Sequence, residues 1–247
     1  VSQIRRVGVV VHPARPPAAE LGKQLAAWAE EHGIELQALA GERGSLGEEV
    51  PRVEPEEFGP GLDLVVALGG DGTLLRALGL VLAEQVPALG VNAGRLGFLA
   101  EVEPHGLGDA LDAVVAGRYR VERRTSLAAT VWVEGRELGE DLAVNDVVLE
   151  KAARERLAAV AVSLGDGGPF ARYAADGVMV ASPTGSTAYS FSAGGPIVSP
   201  RLDALLLTPI APHMVFNRSL VLHPDEAVRL EVLPGNSVIE SVDGRAV

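Results

Sequence analysis

The residues of this chain best suited to chemistry sit in a glycine turn. Leu64-Val65-Val66-Ala67-Leu68 is a short apolar run of the kind that forms a buried parallel strand. Gly69-Gly70-Asp71-Gly72-Thr73 follows, then an apolar, helix-favouring segment that carries Arg76, with Thr73 as the candidate N-cap. Strand, glycine turn and helix start together bring backbone N–H groups close to a phosphate. Glycine removes the Cβ that would keep a ligand off the main chain. Asp71 changes the chemistry, because a carboxylate beside phosphates repels them unless it binds a metal or takes a proton. The turn lacks the Lys-Ser/Thr ending of the P-loop and the third glycine of the dinucleotide fingerprint. A plainer alternative is a tight strand-to-helix turn whose aspartate supports the helix N-terminus.

Four further clusters place polar residues in apolar surroundings. Asn145-Asp146 interrupts the run Leu142-Ala143-Val144 and Val147-Val148-Leu149. Neighbours in a strand point to opposite faces, so one of the two is expected to be buried. Burying an amide or carboxylate without partners costs roughly a few kcal/mol; a structural bulge and a ligand-binding pair both meet that demand. Asp176-Gly177, before the apolar Val178-Met179-Val180, reads by itself as an Asp-Gly turn. Residues 182–196 gather hydroxyls, glycines, Tyr189 and Phe191 into a single turn. Hydroxyls and free N–H groups suit ribose and phosphate oxygens, and Tyr189 is placed to stack on a base. The aromatics and the flanking strands argue against a serine-rich linker. Ser186 and Ser190 are disfavoured as hydrolase nucleophiles, since no Gly-x-Ser-x-Gly elbow surrounds them. Thr208-Pro209-Ile210-Ala211-Pro212-His213, followed by Asn217-Arg218, reads as a rigid corner with a structural histidine.

The elements that must position these residues fall into two classes. Up to about residue 118, strands are expected at 6–12, 34–39, 64–68 and 87–91, and helices at 18–32, from Thr73 to about Ala83, and at 107–115. Residues 41–61 show no period and are expected to form a loop that covers a site. Asn92-Ala93-Gly94-Arg95-Leu96-Gly97-Phe98-Leu99 is a second glycine turn, after the fourth strand. Alternating strands and helices imply a parallel sheet of Rossmann-like layout, with ligands beyond the strands' carboxyl ends, where both glycine turns lie. From residue 119 onward short strands follow one another, at 127–133, 142–150, 157–164, 170–174, 177–181, 204–208, 219–222, 227–233 and 238–242, with turn signals between them such as Glu134-Gly135 and Pro234-Gly235. The fold class expected is therefore an α/β N-terminal domain, 1–118, followed by an all-β sandwich domain, 119–247.

Composition sets limits. At 247 residues the chain holds one large domain or two small ones. Hydrophobic residues make up 47% and the mean hydropathy is +0.22, which supports a real core. No apolar run reaches the roughly 18 residues of a membrane span, and the first residues lead into a strand rather than a cleavable signal. The absence of cysteine removes disulfides and thiolate chemistry and fits a cytoplasmic protein. A net charge of −12 argues against non-specific nucleic-acid binding. The same charge opposes an anionic nucleotide, so arginines, helix N-termini or a bound cation must reverse the field locally.

Taken in order, Gly69-Gly70-Asp71-Gly72-Thr73, Asn145-Asp146, Ala175-Asp176-Gly177, Pro183-Thr184-Gly185-Ser186-Thr187-Ala188-Tyr189-Ser190 and Ala193-Gly194-Gly195-Pro196 resemble the NAD kinase family. The glycine turn is shared with lipid kinases and a wider superfamily; the Pro-Thr-Gly-Ser-Thr-Ala-Tyr-Ser run is far more specific. The resemblance implies transfer of the γ-phosphate of ATP, or of inorganic polyphosphate, to the 2′-hydroxyl of the adenosine ribose of NAD. It also implies a divalent cation such as Mg²⁺ and a cytoplasmic homodimer or homotetramer, with no nucleic-acid or membrane partner. By the same resemblance Asp71 accepts the hydroxyl proton, with a metal-ligand role left open, and Gly69 and Gly70 form the phosphate turn. Gly72, Arg76, Asn145, Asp146, Arg156, Asp176 and Ala211 contact the dinucleotide. Thr187, Ala188, Tyr189, Ser190, Phe191 and Ser192 line the nucleoside pocket. Arg76, Arg95 or Arg156 would join the cation in offsetting phosphate charge. Asp146 stands where the family has glutamate, Ala174 where a basic residue is common, and Arg245 where glutamine is usual. A lipid or sugar kinase sharing the glycine turn and a non-catalytic dinucleotide-binding regulator are the alternatives.

Overall fold

A computed structural model describes residues 4–42, 46–94, 97–153 and 156–247. The chain divides into two compact units, Val1–Glu122 and Arg123–Val247.

In the first unit β1 (Arg6–Val11), β2 (Glu35–Leu39), β3 (Arg52–Val53), β4 (Leu64–Gly69) and β5 (Ala88–Asn92) form a sheet in the order β3-β2-β1-β4-β5. Every pair in it is parallel. Helices α1 (Pro16–His32), α2 (Asp71–Val81) and α3 (Leu107–Val115) complete the layers. Alternation along the strands decides which helix goes where. Val7, Val9, Val11, Val66 and Leu68 pack with Leu21 and Leu25 of α1 and Leu107 and Leu111 of α3. Val10, Val65 and Ala67 pack with Leu74, Ala77 and Val81 of α2 and with Phe58 and Leu62. The sheet is thus covered on both faces, as its near-continuous valines require. The strand order reverses between β1 and β4, so the connections that follow these two strands flank a switch point of the kind where α/β sheets hold ligands.

Two local expectations change. Thr73 does not cap α2; Gly70 is the N-cap, Asp71 opens the first turn, and Thr73 is buried three residues in. Residues 41–61 are not a featureless loop. They contain β3 and a 3₁₀ turn, Pro55–Glu57, and bury Leu46, Val50 and Phe58. A two-residue strand is too short to leave a period, so its apolar anchors look scattered in the sequence.

The second unit is antiparallel throughout. Its strands are β6 (Leu127–Val133), β7 (Arg136–Ala143), β8 (Asp146–Lys151), β9 (Ala158–Leu164), β10 (Ala171–Ala175), β11 (Gly177–Ala181), β12 (Leu205–Ile210), β13 (Leu220–Leu222), β14 (Val228–Val232), β15 (Val238–Val242) and β16 (Arg245–Ala246). A six-stranded sheet runs β13-β12-β11-β8-β15-β16, a three-stranded sheet β10-β9-β14, and β6 pairs with β7 as a hairpin. Val160, Val162 and Tyr173 of the smaller sheet share a core with Val178 and Leu207 of the larger, which is a sandwich. The single strand expected at 142–150 is two strands. β7 begins earlier, at Arg136, and the chain bends at Val144 and Asn145 before β8. β7 escaped notice because its first five residues are exposed and, apart from Leu138, carry no apolar side chain, so no alternation marks it.

Candidate active site

In the first unit the two glycine turns lie side by side at the carboxyl ends of β4 and β5. Gly69 and Asn92 are cross-strand partners, and the Ala93 N–H donates to the Gly69 carbonyl. Asp71 ties the turns together. Its Oδ2 accepts the Phe98 N–H at 2.7 Å, and its Oδ1 accepts those of Leu99 and Ala100 at 3.1 and 3.2 Å. The carboxylate therefore serves the neighbouring turn rather than the amides of its own helix, and three donors fix its orientation. The glycines divide by purpose. A Cβ on Gly69 would lie 2.1 Å from Thr73 Oγ1, and one on Gly97 2.2 Å from Asp71 Oδ1, so the fold itself demands glycine there. A Cβ on Gly72 would meet nothing within 4 Å. The bare backbone at Gly72 serves no packing need of its own unit, and it stands in the first turn of a helix whose N–H groups suit phosphate.

Arg76, one turn further along α2, pairs at 3.1 Å with Glu42. Burial pushes the Glu42 carboxyl above its ordinary range, against the Val11 N–H and Arg76, which hold it down. Arg95 lies outside the described residues. An open groove of about 640 Å³ in this unit is lined by Arg6 of β1 and by residues of α1, β2 and the segment before β3, and includes none of these residues.

In the second unit one face of the six-stranded sheet carries the expected residues. Cross-strand register puts Asp146 opposite Ala181, Val148 opposite Met179, and Glu150 opposite Gly177, so Asp146 and Glu150 share a face. Tyr189, at the start of the short helix α4 (Tyr189–Ser192), donates its hydroxyl to Glu150 Oε1 at 2.7 Å. Burial, this bond and the charges of Glu150, Asp176 and Asp146 push the Tyr189 phenol up to about 12, so it remains a neutral donor at physiological pH. Asp176 pairs with Lys151 at 2.5 Å. Ala211 follows β12 with a left-handed φ of 44°, beside the Asp176 N–H, which donates to the Ile210 carbonyl.

Asn145 and Asp146 are both buried, not one of them, because Asn145 sits in the bend rather than in a strand. Asp243 makes this possible: its carboxylate accepts the N–H groups of Val144, Asn145 and Asp146 at 2.9, 2.7 and 3.2 Å. Burial, then Asp243 and Glu150, raise the Asp146 carboxyl to about 6. Asn145 Oδ1 is buried with no partner, an orphan acceptor of the kind a ligand donor satisfies.

The segment expected as one turn is a 3₁₀ turn, Gly185–Thr187, running into α4. Its hydroxyls are unequal. Ser186 and Ser190 are fully buried; Ser186 Oγ bonds the Pro183 carbonyl and the Val198 amide, and Ser190 Oγ lies 3.1 Å from Thr208 Oγ1. These two anchor the segment. Thr187 and Ala188 are half-buried, while Tyr189, Phe191 and Ser192 are exposed. Arg156 is exposed in the connection between β8 and β9. Reasoning from sequence missed Glu150, Asp243 and Glu42. Glu150 carried a signal, four residues from Asp146 on one strand; the other two act through chain segments far away in sequence.

Family models for the ATP-NAD kinase N-terminal domain and C-terminal domain match residues 7–119 and 144–247. The chain is 46% identical to the NAD kinase of Heliobacterium modesticaldum, covering 97% of this chain and 84% of that protein. It is 40% identical to the NAD kinase of Nocardia farcinica, covering 98% and 79%. Among solved structures it is similar to yeast NADH kinase complexed with NADH, with a TM-score of 0.88 at 27% identity over 100% of this chain and 77% of that one. It also resembles an NAD kinase from Archaeoglobus fulgidus in complex with ATP, with a TM-score of 0.75 at 27% identity over 98% and 86%. Both halves of the chain match in order, with identities that span its length, and the chain belongs to the NAD kinase family.

Proposed function

We propose that this chain phosphorylates NAD, moving the γ-phosphate of ATP, or of polyphosphate, to the 2′-hydroxyl of the adenosine ribose to give NADP. Beyond family membership, one observation carries the reading most: a carboxylate fixed by three backbone N–H groups stands beside a glycine whose open side has no use in the fold. The hydroxyl oxygen attacks the γ-phosphorus in line, the bond from that phosphorus to the leaving oxygen breaks, and the hydroxyl proton passes to an Asp71 oxygen. Because positioning and charge neutralisation do most of the work in such transfers, the fixed rotamer of Asp71 matters as much as its charge. In this reading the first turn of α2, at Gly70 and Gly72, faces the phosphates. Tyr189, fixed by Glu150, flanks the nucleoside with Thr187, Ala188, Phe191 and Ser192. Asn145, Asp146, Asp176, Ala211 and Arg156 supply further dinucleotide contacts, and Arg76 joins them by leaving Glu42.

A divalent cation fits as part of the donor. Among the described residues no three acidic or imidazole side chains gather into a metal cage. Mg²⁺ bound mainly through substrate phosphates and water needs only one or two protein carboxylates, a role open to Asp71. The cation would offset charge on the transferring phosphoryl group. The reading extends to a cytoplasmic homodimer or homotetramer. In support, the β6–β7 hairpin exposes Trp132, Val133 and Leu138, and light scattering on the purified protein reads the mass directly.

Labelled ATP offered with NAD, a diacylglycerol or a hexose in parallel tests the acceptor. Label on NAD alone is expected; label on the lipid or the sugar would replace the reading with a kinase that shares only the glycine turn. Dinucleotide binding without transfer from ATP or polyphosphate would make the chain a regulator.

A further inference from the structure

The geometry points to Arg15 as a binding residue for the phosphate chain of the phosphoryl donor, an inference that rests on the kinase reading above. Arg15 precedes α1 in the connection that leaves β1, the strand beside the sheet's switch point. Its guanidinium reaches across to both glycine turns. A Cβ on Gly94 would lie 2.3 Å from Arg15 Nη1, and one on Gly70 would lie 3.5 Å from the same atom. Gly94, which has no left-handed φ to justify glycine, is therefore bare where the guanidinium rests.

Arg15 is half-buried, yet among the described residues its guanidinium takes part in no hydrogen bond or ion pair. That is costly to leave so in a chain of net charge −12, where acidic partners are abundant. The other half-buried arginines of this unit, Arg6, Arg52 and Arg76, do find oxygen, while the exposed Arg118 and Arg120 are left to solvent. Arg6 meets Glu35 and Gln37, Lys23 meets Glu20, Arg76 meets Glu42, and Arg52 donates to the carbonyls of Glu42, Val50 and Gly47. A second unused donor lies alongside: Asn92 is 1% exposed, its Oδ1 accepts the Gly94 N–H, and its Nδ2 is buried without a partner. Pro13, Pro16 and Pro17 flank Arg15, and the Ala14 N–H bonds His12 Nδ1, so the connection is stiff before any ligand arrives.

A planar fork of donors wedged between two glycine turns at strand carboxyl ends matches the oxygens of a phosphate chain. The donor carries more phosphate charge than the diphosphate of NAD, and its charge must be neutralised during transfer. On this basis Arg15 serves the donor.

The test uses the full chain with Arg15→Ala and Arg15→Lys. Inorganic tripolyphosphate, titrated calorimetrically, probes the phosphate chain without a nucleoside and without turnover, so it reports even if NAD is not the acceptor. Arg15→Ala is expected to weaken tripolyphosphate binding about tenfold or more, the scale of a charge-assisted hydrogen bond. The KM for ATP should rise comparably while the KM for NAD stays within about twofold, and Arg15→Lys, keeping the charge but not the fork, should fall between. Melting temperature should hold, since no bond within the protein is lost. Wild-type protein that ignores tripolyphosphate, unchanged affinity in Arg15→Ala, or a rise confined to the KM for NAD would each overturn the assignment. If Arg15→Ala does not fold, Arg15→Lys with full tripolyphosphate affinity and an unchanged KM for ATP would do the same.

Discussion

Asp71 holds the neighbouring turn and has a proposed second role as the proton acceptor, and a single substitution can separate the two. In Asp71→Asn the amide NH₂ must face either the Phe98 N–H or the pair from Leu99 and Ala100, since all three are donors. The variant should therefore lose about 1 kcal/mol of stability, the net worth of a hydrogen bond, since the Phe98 N–H is exposed and those of Leu99 and Ala100 are only part-buried. Turnover per folded molecule should also fall about a hundredfold or more, the scale of a lost general base. Melting curves with saturation kinetics separate the two losses. Near-normal turnover would remove Asp71 from the chemistry, and partial rescue by raised Mg²⁺ would make it a metal ligand. Asp146 offers a pH test. Its carboxyl is raised from 3.8 to about 6, so folding favours the protonated form. The stabilising contribution of that proton is complete below the unfolded value and is lost as pH rises through about 6. Asp146→Asn should accordingly be more stable than wild type at pH 8, by at most about 3 kcal/mol in denaturant unfolding. The gap should close by about pH 4, and a difference independent of pH would contradict the cause assigned.

At the scale of elements, glycines that look alike in sequence behave differently. A Cβ on Gly185 would stand 2.1 Å from the Asn145 carbonyl oxygen, which already accepts the Ser182 N–H. Gly185→Ala should cost about 3 kcal/mol or more by forcing two backbones apart. Gly72→Ala meets nothing, and alanine is the better helix former by about 1 kcal/mol. It should melt at or above wild type while the KM for NAD or for ATP rises, and an unimpaired KM for both would mean that no ligand approaches there. The alternation of strand and helix, the β-rich second half and the glycine turns were legible because each leaves a periodic or compositional mark. β3, the start of β7 and α4 were not, being short or exposed. The Asp243 carboxylate that organises the Asn145 bend was equally hidden, since nothing local in either segment announces a contact between residues about a hundred positions apart.

At the scale of the molecule, the named residues are distributed over both compact units. Asp71, Gly72 and Arg76 belong to the first, and Asn145, Asp146, Asp176, residues 187–192 and Ala211 to the second. The acidic balance of the whole chain makes the few cations beside the glycine turns more consequential for anionic substrates. The motif order that suggested the family survived because it is spread along the chain in short, chemically constrained runs. What the sequence hid was how residues such as Glu42, Glu150 and Asp243 hold those runs in place. The most direct test of the central claim is to incubate the purified full chain with NAD, ATP and Mg²⁺ and to locate the new phosphate by NMR. The account predicts one product, NADP, with phosphate on the 2′-oxygen of the adenosine ribose and no second phosphorylation. Phosphate on the nicotinamide ribose, or no NADP with either ATP or polyphosphate, would contradict it.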